Sequence, residues 1–515
     1  MDRKGLLTLV LHSHIPYCRK SGVWPFGEEW VFEAMAETYI PVVDLLYELG
    51  RSRRPLLSLA VSPVLCEQLA DGYMAERFVC YMNNRIKAAA DDLSRHLDYH
   101  DDIMASLAQY YIDHCVKALD AFENRWKRDL VGALRGLATD GVVDVMVTAA
   151  TNAYLPMLRD PDRVRTQMDL GIRACQHHLG VRPRAAWLPE LGYSTDIGPI
   201  LSELGLECIL VDPSSVHPTT SDSPMQRGIA PLCRYTHESS SMAVLVRDDV
   251  TVAQVWSPDT GYPGDGAYRE FHRRHEVSGI PYWRVTSKLT ELGNKQLYDP
   301  QQAQETARRH AEHFCQMVEE RSSSIGSDRS GDGIIVAPFD MELFGHWWHE
   351  GVTWLGHVLR IASSSSGIRL ASVEDTYRGG AYGGVVELRD GSWGDGNTHS
   401  AWVNGKTQHM WERLRDGYRL NQGIERAEPC LGAAEKAMAE QARKELLLAE
   451  ASDWTFLVGA GQAEEYASRR FDQHMTAYEV LARAALVGAD ESSTALLQEV
   501  SERNALFGWV SPSSS

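Results

Sequence analysis

The chain has 515 residues, 44% of them apolar, with 51 Lys plus Arg against 70 Asp plus Glu and a formal charge of −19. That length suits one large barrel-type domain plus a smaller one. The acidic balance excludes a nucleic-acid partner held by a diffuse basic surface, and no run reaches the roughly 18 apolar residues of a membrane span. Nine scattered cysteines without C-x-x-C spacing fit a reducing cytoplasm rather than a disulfide framework or a thiolate metal site. The six residues Leu6 to Leu11 are too short an apolar run for a secretory leader.

The first two-thirds of the chain alternates short apolar strands with helical stretches, the pattern of parallel β/α units. Strands are expected at Leu6–Leu11, Leu56–Val61, Val142–Val147, Ala185–Leu188, Glu207–Val211, Ala243–Val246 and Ile334–Ala337. The residues that follow them are, in order, His12 with His14, Ser62, Thr148 to Asn152, Glu190, Asp212, Arg247-Asp248 and Asp340. In a parallel barrel these ends share one mouth, so polar and reactive side chains recurring there imply one site. Residues 65–139 carry helical spacing with almost no Gly or Pro and read as a helical insertion. Residues 213–242 read as a loop region, and Ser322–Gly333 as a low-complexity loop. Beyond the Gly-rich 378–384 the sequence is mostly helical. A barrel domain is therefore expected over 1–385 and a C-terminal helical domain over 386–515.

The segment Asp340 to Gly351 holds two Trp, one Phe, two His and three carboxylates. Flat apolar faces beside polar groups suit a sugar, whose ring faces stack while its hydroxyls are held. Glu190, within Trp187-Leu188-Pro189-Glu190, and Asp340 each end a strand, and two carboxylates at one mouth are what glycosidic cleavage requires. His12 and His14, alternate residues after the first strand, can ligate a metal or hydrogen-bond sugar hydroxyls. No tightly spaced third and fourth ligands accompany them.

These residues resemble glycoside hydrolase family 57, and within it the 1,4-α-glucan branching enzymes. The resemblance runs through Leu11-His12-Ser13-His14-Ile15-Pro16-Tyr17, Trp24 to Trp30, Thr151 to Pro156, Trp187 to Glu190, Gly261 to Asp265 and Asp340 to Gly351. It continues through Ser392-Trp393-Gly394, Trp402, Ser452 to Leu457 and Gly461 to Ala467. It implies an incomplete (β/α)7 barrel with helical insertions and a C-terminal helical domain. It also implies a retaining double displacement with Glu190 as nucleophile and Asp340 as general acid/base, needing no metal or other cofactor. The expected partner is an α-1,4-glucan such as amylose, glycogen or a maltooligosaccharide, acted on by a cytoplasmic monomer. Trp30, Trp347, Trp393, Trp402 and Trp411 are the expected stacking platforms, and His12, His14, Asn152, His346 and Asp453 the hydroxyl partners.

The chain departs from the family pattern in three places. Asn152 stands where a His is usual, and Leu191 where the nucleophile is commonly followed by Cys. The loop after Asp212 usually bears a Tyr that covers the site, and Met225–Leu232 has none; Tyr235 lies nearby, outside the motif. A less covered site would admit water to the intermediate. An α-amylase-type hydrolase or 4-α-glucanotransferase therefore stands beside the branching reading. A metal-dependent deacetylase using His12 and His14, and a catalytically idle glucan-binding protein, are the remaining alternatives.

Overall fold

The computed structural model describes residues 5–50, 54–218, 231–237, 240–257, 259–329 and 333–510. Seven parallel strands form the barrel: β1 (Gly5–Ser13), β2 (Leu57–Val61), β3 (Val143–Val145), β4 (Ala185–Trp187), β5 (Cys208–Val211), β6 (Ser240–Val246) and β7 (Ile334–Asp340). Each pairs with its sequence neighbour from β1 to β3 and from β4 to β6, and β7 returns to pair with β1. A bridge between Val147 and Ala186 joins β3 to β4. Strands buried on both faces read as near-continuous apolar runs, which is why all seven are visible in the sequence.

The ring stays incomplete at the β6–β7 seam for a topological reason. The outer edge of β6 is taken by the antiparallel strand Leu232–His237. That strand in turn pairs with Val385–Leu388. At this seam the Asp248 amide still donates to the Val336 carbonyl at 2.8 Å. Val385–Leu388 therefore crosses the domain boundary expected at 385/386 and belongs to the barrel-side sheet. Tyr235 packs against Tyr193 and beneath Gly198, and Met225–Ala230 lie outside the described residues.

Between β2 and β3 the chain forms α1 (Gly72–Asp98) and α2 (Asp102–Asp120), each opened by an aspartate side chain that accepts from a first-turn amide. The stretch expected as a loop at Ser322–Gly333 is instead mostly helix, the final turns of Pro300–Arg329. Packing explains this: Ser322 is 1% exposed and sits where Cβ atoms on Gly5 and Gly333 would collide with it, at 2.0 and 1.7 Å. A small residue at that position lets β1 and β7 start directly beneath the helix, and this burial overrides the weak helix preference of serine.

The C-terminal part comprises α3 (Gln408–Ala427), α4 (Ala433–Ala449), α5 (Ser452–Ala460), α6 (Glu464–Val487) and α7 (Glu491–Arg503). It is fastened to the barrel by buried charge. Arg163 makes a two-pronged contact with Glu450 at 2.7 and 3.1 Å, and Gln167 Nε2 adds a third donor to Glu450 at 2.6 Å. Ala451 also bridges to Ala153. The loop after β3 is thereby locked to the start of α5, and α5 is placed at the barrel mouth. No helix among the described residues is long and apolar enough to cross a membrane.

Candidate active site

A cleft of about 610 Å³ opens at the C-terminal ends of the strands, within the range of small-molecule sites. It is lined by His12, His14, Trp30, Asn152, Glu190, Asp340, His346, Trp347, Trp393, Trp402 and Asp453. Trp411 is not among them. It is 4% exposed, and its indole N–H donates to the Trp402 carbonyl at 3.0 Å, so it belongs to the core. Trp402 borders the cleft but is 2% exposed, with one face covered by Tyr154, the rings 4.3 Å apart and 18° from parallel, so it backs the wall and is not the open stacking platform expected.

Glu190 projects from a strained turn. It sits at φ 61° and Leu191 at φ 48°, both left-handed and neither glycine. Such residues cost about 1–3 kcal/mol each and persist where their surroundings over-determine them. Here Trp393 N donates to the Glu190 carbonyl at 3.2 Å, and Gly192 N to the Pro189 carbonyl at 3.0 Å. The turn sends Glu190 into the cleft and Leu191 inward among Trp187, Ala185 and Leu210, so an apolar residue at 191 is accommodated by packing. The Trp393 indole N–H donates to Glu190 Oε2 at 2.9 Å.

Asp340 ends β7 opposite His12 in the β1 register. That pairing places His12 Nδ1 3.3 Å from Asp340 Oδ1. The His12 ring lies face to face on Trp187, 4.8 Å away and 3° from parallel. Burial, aided by the charge of His14, pushes the His12 imidazole down to about 3, so it is neutral. His14 behaves oppositely. Burial alone would lower it, but the Asp453 carboxylate, 2.8 Å from Nε2, outweighs that and holds the imidazole above its ordinary value. Its other nitrogen, Nδ1, lies 2.7 Å from Ser62 Oγ.

Burial raises both Glu190 and Asp340 to about 7, and the charge of Asp340 adds to the effect on Glu190. Two interacting carboxyls titrate as a pair and share one proton over the intermediate range. The Trp393 donor favours the ionised form of Glu190. Glu342 lies beneath them and accepts from Ser13 Oγ at 2.7 Å, Tyr39 OH at 2.5 Å and His14 N at 3.2 Å. It anchors the turn that carries His14.

Arg247, expected at the mouth as a strand-end residue, also lines the cleft, as do two residues given no role from the sequence, Trp256 and Phe456. Trp256 and Phe456 expose 45% and 39% of their surfaces, comparable with 39% for Trp347. Trp256 packs edge-to-face on Trp347. Both belong to helices whose approach to the mouth depends on tertiary placement, and a lone aromatic on a helix gives no signal of it. Among the described residues, one group is close enough to hold a metal ion: Glu37, His114 and His349. It excludes His12 and His14, and Arg269 already sits 3.2 Å from Glu37.

The barrel and its aromatic-walled mouth, with two raised carboxyls at strand ends, define a carbohydrate-active (β/α)7 scaffold. The chain belongs to glycosyl hydrolase family 57, whose profile matches residues 8–386. The profile described as "1,4-alpha-glucan branching enzyme, C-terminal" matches residues 418–514. The chain is 38% identical to the 1,4-alpha-glucan branching enzyme of Thermococcus kodakarensis, over 98% of its own length and 77% of that protein. The crystal structure of that enzyme superposes with a TM-score of 0.88, covering 99% of this chain and 96% of the other. The branching enzyme of Pyrococcus horikoshii gives 0.87 at 37% identity, covering 99% and 96%. The α-amylase AmyC of Thermotoga maritima gives 0.86 at 26% identity, covering 98% of each chain.

Proposed function

We propose that this chain is a 1,4-α-glucan branching enzyme that cleaves an α-1,4 bond by double displacement and transfers the released chain to a 6-hydroxyl of another glucan. One observation carries the reading. Helix α5, inside the segment that matches the branching-enzyme C-terminal family, supplies Asp453, Phe456 and Leu457 to the cleft wall, so the C-terminal part helps to build the site.

In the first step Glu190, ionised and steadied by the Trp393 N–H, attacks the anomeric carbon, while Asp340 gives its proton to the leaving glycosidic oxygen. In the second step the Asp340 carboxylate takes a proton from the incoming 6-hydroxyl, which displaces Glu190. His14, when protonated, places positive charge beside both carboxyls. Trp30, Trp347 and Trp393 offer ring faces to glucose units, and His346 and Asp453 offer hydrogen bonds to hydroxyls, whereas His12, His14 and Asn152, expected as hydroxyl partners, are engaged with Asp340, with Ser62 and Asp453, and with Ser452. The enzyme needs no metal in this scheme, and we take it as a cytoplasmic monomer, in keeping with nine free thiols.

The likeness to AmyC favours one second reading, an α-glucan hydrolase. Incubation with amylose separates the two, with α-1,6 linkages and reducing ends both counted. Branching requires new α-1,6 linkages in excess of new reducing ends; reducing ends without new branches would overturn it in favour of hydrolysis.

A further inference from the structure

The residue at 152 has a role toward the acid of this pair that its sequence position does not reveal. His12 is neutral, so its ring carries one proton, and which nitrogen holds it decides what Asp340 meets. A proton on Nδ1 would donate to Asp340 and favour its carboxylate. A proton on Nε2 leaves a lone pair at Nδ1, which accepts from a protonated carboxyl and favours the acid form. His12 Nε2 and Asn152 Oδ1 are both buried and neither makes a hydrogen bond in this structure, and the Asn152 side chain is near enough to His12 to favour a proton on its ring.

The orientation of that amide is fixed from outside the barrel. Asn152 Nδ2 donates to Ser452 Oγ at 3.1 Å, which turns Oδ1 away from Ser452. Asn152 N donates to the Ala149 carbonyl at 3.1 Å, and Ser452 N to the Asn152 carbonyl at 3.2 Å. Its φ of 53° is one that Asn tolerates. We propose that Asn152 is a positioning residue that holds the His12 proton on Nε2, so that Nδ1 accepts from the Asp340 carboxyl and keeps the acid loaded. The inference rests on the reading of Asp340 as acid/base. It gives the C-terminal part, through Ser452, a hold on the chemistry as well as on the shape of the cleft.

The other charged groups facing this cluster are His14 after β1, Glu190 after β4, Glu342 after β7 and Asp453 on α5, with Arg247 on the cleft wall. A substitution at 152 leaves all of them in place. Asn152→Gly keeps the backbone unstrained at positive φ and removes the acceptor. The alkaline limb of kcat/KM should move to lower pH by about half a unit or more, an extra loss of roughly threefold above the limb. A lower rate with an unmoved limb would overturn the proposal. In ¹⁵N-histidine-labelled wild type, the signal lost in His12→Gln should report a protonated Nε2 and a bare Nδ1; the reverse tautomer would overturn it without any change at 152. Asp340→Asn, assayed on α-glucosyl fluoride, should lack the alkaline limb. If the limb survives there, the reading of Asp340 fails; if it disappears there yet stays fixed in Asn152→Gly, only the role of Asn152 fails.

Discussion

Trp393→Phe separates the electrostatic work of Trp393 from its stacking. The indole N–H donates to Glu190 Oε2 at 2.9 Å and lowers the pKa of a carboxyl that burial otherwise raises. A hydrogen bond to a charged group contributes about 1.5–3 kcal/mol, and about 1.4 kcal/mol corresponds to one pKa unit. Water entering the partly open cleft replaces some of the lost donor, so a rise of about one unit in the Glu190 pKa is the expected net effect. Phenylalanine keeps a ring for the edge-to-face contact with Trp187. The nucleophile must be ionised to attack, so the acid limb of kcat/KM moves to higher pH. Amylose cleavage, followed by loss of iodine binding across pH, reads this directly. The ratio of wild-type to variant rate should grow by a further factor of about ten as pH falls through the limb. Lost stacking alone gives a ratio independent of pH, and that outcome would refute the role assigned to the indole.

Glu190→Gln should abolish turnover while leaving glucan binding within a few-fold, measured by affinity electrophoresis; retained turnover would remove Glu190 from the nucleophile role. Asp453→Asn removes the partner that raises His14. A group whose folded pKa is raised gives stability that is full below its ordinary 6.5 and lost as pH rises through the folded value. The variant should therefore be less stable by about 1.5–3 kcal/mol below pH 6.5, with the gap closing at alkaline pH; denaturant midpoints at acidic and alkaline pH check this, and a constant gap contradicts it. Trp411→Ala should cost about 3–5 kcal/mol of stability and leave the glucan affinity of the folded protein unchanged. Weaker binding without destabilisation would return Trp411 to the cleft.

The barrel was legible because parallel strands buried on both faces are continuous apolar runs, and the residue after each run falls at the mouth by topology alone. His12, Glu190 and Asp340 could be found that way. The strain at Glu190 could not, because two consecutive left-handed residues with side chains follow no propensity and arise from the clamp by Trp393, far away in sequence. Trp411 and Trp402 look alike in the chain, and both are buried by packing that the sequence does not show; Trp402, stacked on Tyr154, borders the cleft, and Trp411 does not. Ser322 reads as loop by composition and is helix by packing. Asn152 reads as a lost histidine, and its significance emerges only once Ser452 and His12 flank it.

The most direct test of the central claim is mass spectrometry on protein mixed with α-glucosyl fluoride, using Asp340→Asn to slow release of any covalent intermediate. The account predicts a glucosyl ester on the peptide that contains Glu190, discharged when a glucan acceptor is added. Transfer that proceeds with no ester formed, or an ester on any other residue, would contradict it.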